Sequence, residues 1–506
     1  MRSPAPRHPG PAWYSAKGLL FRCGALALVL VPLALIEAGL QVFDCGRMTE
    51  TEDPYIGFTA IHPLFERNAQ TNRYEIARSR LDLFHPDSFA VQKDPREFRI
   101  FCLGGSTVQG SPYTIETSFT TWLELSLQVA DPSRRWEVIN CGGLSYASYR
   151  LVPILQEVLT HQADLIIVYV GQNEFLEDRS YAHVKATPRC LAWAHTWLAR
   201  LRTYNLTRSA WMRLWAMRPG ARGVAVRSSR TFMPAEVDAW LDNPGGLDAY
   251  HRDDAWRHAA IEHYQYNLQR MVDLARRARV PIVLCNPVTN LKDCPPFKIE
   301  ARADLTSADR RRFEELWNRA RTLKDSQATE RIECLRQALA IDDRHAGAHF
   351  LLGHSLLSAG YVAEAKQAFV RAKDEDICPL RILEPMYPVL ANVARTNGVP
   401  LVDVRALIES RTPDGIPGNE WLMDHVHPTI SGHQLIAAAL IAELERMGLV
   451  HPRPGWERTR ESAYRNHLAH LETPYFVRAK ERLDGQRKWT EGRARKQSRP
   501  AKKAGA

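Results

Sequence analysis

Cysteine is scarce and unpaired in this chain: nine among 506 residues, with no Cys-x-x-Cys and no Cys/His cluster at metal-ligand spacing. No metal site is expected, therefore, and no cofactor; the odd count leaves the redox compartment open. Cys102, Cys141 and Cys285 lie in apolar, strand-like surroundings and read as small core residues. Around Ser106 the six-residue dinucleotide glycine pattern and the lysine-bearing phosphate loop are both missing, which argues against phosphate binding there. Net positive charge is also small in the body of the chain. Of the formal +10, the stretch from Arg478 onward supplies +8, from eleven Lys or Arg against three acids. No nucleic-acid partner is expected. The tail beyond Gly485 reads as a disordered basic arm, able to touch anionic lipid or polymer, or as a merely solvated end.

What is present is enough apolar material for a large core, 45% of the residues. Apolar, β-branched runs predict strands at 98–103, 136–140, 164–170, 281–286 and 400–403, with helical stretches between them. This alternation is that of a doubly wound parallel α/β sheet. Loops following such strands emerge together at the carboxyl edge, where open α/β folds place ligands.

Four loops carry chemistry. Gly104-Gly105-Ser106-Thr107 follows the first strand, and a serine lifted off a strand end by two glycines is placed for nucleophilic attack; an ordinary strand-to-helix turn is the plainer alternative. Asn140-Cys-Gly-Gly143-Leu-Ser145 and Gly171-Gln172-Asn173-Glu174 follow the second and third strands. Far downstream, Asp424-His425-Val426-His427-Pro428 sets a carboxylate three residues from an imidazole, completing a Ser/His/Asp set.

With these four blocks in this order, the chain resembles the SGNH hydrolases, the GDSL-type esterase and lipase superfamily, and its membrane-anchored, repeat-containing bacterial members. The resemblance implies a flavodoxin-like sheet with Ser106 as nucleophile, His427 as base and Asp424 as its orienter. It also implies an oxyanion hole formed by the backbone N–H of Ser106, the side-chain amide of Asn173 and a backbone N–H from the second block. There the family's glycine falls on Ser145, which serves if its backbone angles are ordinary, with Gly143 as the fallback. Glu174 stands where the family has an aspartate. His425 and His433 are read as supporting or helix residues. Gln172, Glu174 and Asn290, the last in a proline-stiffened loop after the fourth strand, are candidate cleft residues; that loop equally bridges strand and insertion.

Outside these blocks, Cys23 to Ile36 is apolar and uncharged, with basic residues upstream, and 18–43 reads as a transmembrane signal anchor, with a cleaved signal peptide as the alternative. By the positive-inside rule the body is extracytoplasmic, in the periplasm where there is one. Between core blocks at 98–177, 256–300 and 381–448 lie two insertions, 178–255 and 301–380; 1–17 is basic, 44–97 an arm, and 449–506 helical then basic. The first insertion carries Trp193, Trp197, Trp211 and Trp215 at helical spacing, a packed face, a lid or a surface lying on a membrane. In the second, Leu352-Gly353, Leu356, Gly360, Ala365, Phe369 and Ala372 match a tetratricopeptide repeat, and Leu335 and Ala338 stand 34 residues before Phe369 and Ala372. A protein partner is expected there. The expected substrate is an ester-bearing glycan or lipid. An O-acyltransferase of exported polysaccharide and a non-catalytic scaffold remain alternatives.

Overall fold

Runs of apolar residues that bury both faces make central strands, and five of them build the core sheet of the computed structural model. The structure describes residues 63–177, 239–243 and 245–492, together with 28, 31–40, 60–61, 198, 201–204, 206–207, 232–233 and 237. An antiparallel sheet of β1 (Phe65–Asn68), β2 (Arg73–Ile76) and β3 (Ser88–Ala90) precedes the core. The core strands are β4 (Glu97–Gly104), β5 (Arg135–Gly142), β6 (Leu165–Tyr169), β7 (Ile282–Asn286) and β8 (Leu401–Asp403), all at the predicted places. They run parallel in the order β8-β7-β6-β4-β5. The order reverses at β4, which makes the carboxyl ends of β4 and β6, where Gly104 pairs with Tyr169, the switch point at which open α/β sheets take ligands.

The short α1 (Ser106–Gln109) follows β4 directly. On one face of the sheet α2 (Phe119–Ala130) packs against α11 (Ile430–Arg446) and α12 (Trp456–Ala469). Elsewhere α3 (Ser148–Val158), α4 (Asp254–Ala278) and α9 (Met386–Asn397) pack together, and α10 (Val404–Arg411) follows β8. The edge strand β5 does not offer its backbone freely: Glu124 accepts from Val138 N–H and Asp87 from Asn140 N–H, each at 2.8 Å.

The second insertion is four helices, α5 (Ser307–Thr322), α6 (Ala328–Ile341), α7 (Ala346–Ser358) and α8 (Val362–Asp374). Gly353 lies so close to the Phe369 ring that an added Cβ would meet it at 2.8 Å, so α7 and α8 need a glycine there to approach. Their core takes in Leu291 and Ile416 from the sheet-edge loops, which seats the insertion on the α/β body.

One expectation is corrected. The last helix, α13 (Thr473–Thr490), runs straight through Gly485, where the charge count pointed to a disordered arm. Tyr475, Ala479, Leu483 and Thr490 form its buried stripe, and the Arg, Lys and Ala of this stretch are good helix formers. Only 493–506 lie outside the described residues.

By contacts the chain forms two units, 61–182 with 234–506 as above, and 1–60 with 183–233. In the second, Glu37 accepts from the N–H groups of Arg202 and Thr203 at 2.8 and 2.9 Å. Most of the 18–43 anchor lies outside the described residues, as do Trp193, Trp197, Trp211 and Trp215 of the first insertion. Among those described, no helix is long and apolar enough to cross a membrane, although Leu33, Leu35 and Ile36 are exposed.

Phe369 is fully buried, so Phe369→Ala should destabilise the insertion by about 3–5 kcal/mol, read as a lowered urea midpoint.

Candidate active site

Close approach, not charge, sets the position of Ser106. A Cβ on Gly104 would meet the Tyr169 carbonyl at 2.3 Å, and one on Gly105 would meet Asn173 Nδ2 at 2.5 Å. Two glycines let β4 end against β6 while the chain turns into α1 with Ser106 at its first position. Gly110, at φ 95°, ends the helix, and the N–H groups of Gly110 and Ser111 both donate to the Ser106 carbonyl at 3.0 Å. Beneath the turn Asn140 donates to the Val108 carbonyl at 2.6 Å and to Thr120 Oγ1 at 2.9 Å, and accepts from Gly142 N–H at 2.9 Å. In the sequence Asn140 served only as an origin for counting; here it holds the floor of the nucleophile turn.

His427 sits on a loop closed on itself. Met423 N–H donates to the His427 carbonyl at 2.7 Å and Thr429 N–H to the Trp421 carbonyl at 2.8 Å, after which Thr429 caps α11. Asp424 Oδ1 accepts from the N–H groups of Val426 and His427, each at 2.9 Å, and Oδ2 accepts from His427 Nδ1 at 2.6 Å. The carboxylate thereby fixes the tautomer, leaving His427 Nε2 to accept from Ser106 Oγ at 2.7 Å. Burial pushes the Asp424 carboxyl up, but the imidazoles of His427 and His425 and the hydrogen bonds reverse this and hold it well below the usual range.

The neighbouring histidines do other work. His425 packs edge-on against Phe297, and burial brings it down to about 4. His433 accepts from Phe119 N–H at 3.2 Å, and burial brings it down to about 3. Both rings are neutral at pH 7.

Asn173 donates to the Tyr146 carbonyl at 3.1 Å, which leaves its second amide hydrogen for an oxyanion. Ser145 departs from the expectation of ordinary backbone angles: its φ is 61°, the left-handed region, at a cost of about 1–2 kcal/mol for a side chain. Its N–H has no hydrogen-bond acceptor among the described residues, as a donor to an incoming oxyanion requires. The fallback fails, because Gly143 N–H is spent on the Gly104 carbonyl at 3.0 Å.

The three candidate cleft residues prove to be buried supports. Glu174 accepts from Ser148 N–H at 2.9 Å and from Ser148 Oγ at 2.7 Å; its extra methylene gives it the reach to cap α3. Gln172 donates to the Val288 carbonyl and accepts from Ile382 N–H, each at 2.9 Å. Asn290 donates to the Asp424 carbonyl at 3.1 Å and to Asn419 Oδ1 at 3.0 Å, so it carries the triad loop. Sequence holds no sign of burial for a polar residue beside a motif, which is why all three looked like cleft.

No protein-family model matches this chain, and none of the curated proteins does. Among solved structures it is similar to a lipase/acylhydrolase from Enterococcus faecalis, at 13% identity and a TM-score of 0.30 over 71% of this chain and 100% of that one. It is also similar to an acetyl-xylooligosaccharide esterase from Geobacillus stearmophilus, at 11% and 0.31 over 69% and 94%, respectively. A GDSL-like lipase from Parabacteroides merdae gives 12% and 0.32 over 71% and 99%.

Gly105→Ala should displace Asn173 and lower the turnover of an ester by about 10²–10³-fold, the cost of one lost oxyanion donor, with folding unchanged by circular dichroism. The histidines predict a pH effect. As pH falls from about 6.5, the unfolded chain takes up protons that His425 refuses until about 4 and His433 until about 3, so stability is lost across that window. At pH 5 each costs about 2 kcal/mol relative to alkaline pH. Asp87 and Glu124, raised by burial to about 6 and about 7, titrate in the opposite sense. The readout is therefore a difference: the urea midpoint of His433→Gln, which keeps an acceptor for Phe119, should fall less than that of the wild type between pH 7.5 and 5.

Proposed function

We propose that the protein is a serine ester hydrolase of the SGNH type. One observation carries the reading: a continuous relay of Ser106 Oγ, His427 Nε2, His427 Nδ1 and Asp424, with links of 2.7 and 2.6 Å. His427 removes the Ser106 proton as Oγ bonds to the ester carbonyl carbon. The carbonyl oxygen becomes an oxyanion held by the N–H groups of Ser106 and Ser145 and by Asn173. As the tetrahedral species collapses, the ester C–O bond breaks and the leaving oxygen takes the proton from His427. Water then attacks the acyl-serine, gives its proton to His427, and the acid leaves as Ser106 regains its hydrogen.

The intact relay favours a catalyst over a scaffold with a degenerate site, because a buried carboxylate and imidazole cost folding energy that a scaffold has no use for. A sugar hydroxyl in place of water would make the same site an O-acyltransferase. Acyl or acetyl esters of a glycan or lipid are the substrate class we favour. Extracytoplasmic action from a membrane anchor is supported by the exposed apolar residues of the 31–40 helix and the basic flank before it. The four-helix insertion, with its repeat-like pattern, offers the surface for a protein partner.

A fluorophosphonate probe should label the wild type and not Ser106→Ala, and hydrolysis of p-nitrophenyl acetate should vanish with the label. Asp424→Asn should retain the fold and lose about 10³–10⁴-fold in kcat. A folded wild type that neither labels nor turns over the ester overturns the reading.

A further inference from the structure

The nucleophile and the base come from sequence positions 321 residues apart, and no strand or helix contains both. One element reaches both of their loops. On α13, Gln486 Nε2 donates to Ser111 Oγ at 2.6 Å, and Ser111 N–H donates to the Ser106 carbonyl at 3.0 Å. The next residue, Arg487, donates from Nη2 to the Met423 carbonyl at 3.2 Å, and Met423 N–H donates to the His427 carbonyl at 2.7 Å. Adjacent residues of one helix thus stand one residue removed from the backbone of Ser106 and from that of His427.

The helix is fixed in turn. Tyr475 Oη lies 2.7 Å from Thr117 Oγ1 and accepts from Thr114 N–H at 3.3 Å, Arg482 donates to the Tyr113 carbonyl at 2.9 Å, and Trp489 Nε1 donates to Asp242 at 2.8 Å. Tyr475 also stacks on Tyr113 with ring centroids 5.9 Å apart. Every residue between Ser111 and Thr117 named here belongs to the loop that leaves the nucleophile helix.

We infer that α13 is a brace that sets the spacing between nucleophile and base, with Gln486 and Arg487 as its positioning residues. Neither touches the reacting atoms. Gln486 acts through Ser111 on the α1 turn, and Arg487 acts through Met423 on the Asp424–His427 loop. Proton transfer between Oγ and Nε2 is steep in distance, and a displacement of about 1 Å costs on the order of 10²-fold in rate, so a brace of modest energy has a large kinetic effect. The inference rests on the Ser106 reading above.

The test uses the full-length chain. The double variant Gln486→Ala/Arg487→Ala is compared with wild type and with Arg478→Ala/Lys480→Ala, two exposed positions of the same helix. Reactive sites are titrated with the fluorophosphonate, and kcat and KM for p-nitrophenyl acetate are measured per titrated site, so that loss of folded protein does not enter the result. The brace predicts a fall in kcat of about 10–100-fold for the 486/487 pair, KM within about twofold, no change for the 478/480 pair, and partial recovery in Arg487→Lys, which keeps one donor for Met423. An unaltered kcat per site in the 486/487 pair overturns it, whatever happens to the melting temperature. Should that pair not fold, Gln486→Ala and Arg487→Ala are read singly by the same criterion. A wild type that takes no label overturns the Ser106 reading and the brace with it, an outcome distinct from a labelled wild type with an indifferent variant.

Discussion

A carboxylate removed from water becomes neutral unless other groups replace its hydration, and the candidate site depends on how Asp424 avoids this. Two backbone N–H groups and the His427 ring surround it, and all three come from within three residues of it. Such local satisfaction demands a loop of one shape. Met423 and Thr429 close that loop, Asn290 supports it from below, and α11 begins where it ends. A histidine held by an ionised partner in a fixed loop has one ring orientation and one tautomer, and both suit a base facing Ser106.

The Ser106 side answers to a different constraint. No ion pair fixes Ser106; the register of the sheet does. Gly104 is paired with Gly142 on one side and Tyr169 on the other, so the three loops that leave these strands start at the same level. Backbone closeness at Gly104 and Gly105 then brings Asn173 against the serine turn. The two sides tolerate change differently: one is sensitive to volume, the other to charge and hydrogen bonding.

The sheet was legible in the sequence because a strand buried on both faces is written as an uninterrupted apolar run, as in Leu165–Tyr169. Ser106, Asp424 and His427 stood out because acyl-transfer chemistry asks for those residue types at the ends of such elements, and the structure brings the three together. Burial of polar side chains was not legible. Gln172, Glu174 and Asn290 stand beside motifs and looked like cleft, while their partners at 288, 382, 148 and 419 are distant in sequence. The left-handed backbone of Ser145 leaves no trace in a residue that is not glycine. In α13 the net charge concealed a stripe of Tyr475, Ala479 and Leu483 at four-residue intervals, which periodicity would have revealed.

The separation of 321 residues between Ser106 and His427 has a consequence for biosynthesis. Closing a long loop costs little more than closing a shorter one, about 0.6 kcal/mol per doubling, so the insertions between the two are thermodynamically cheap. In time they are not neutral. A chain made from its amino end exposes the serine turn long before the imidazole exists, and α13 follows later still. The Ser106–His427–Asp424 relay therefore forms only after residue 427 has been made, and a chain that stops short of it carries Ser106 without the imidazole that accepts its hydrogen.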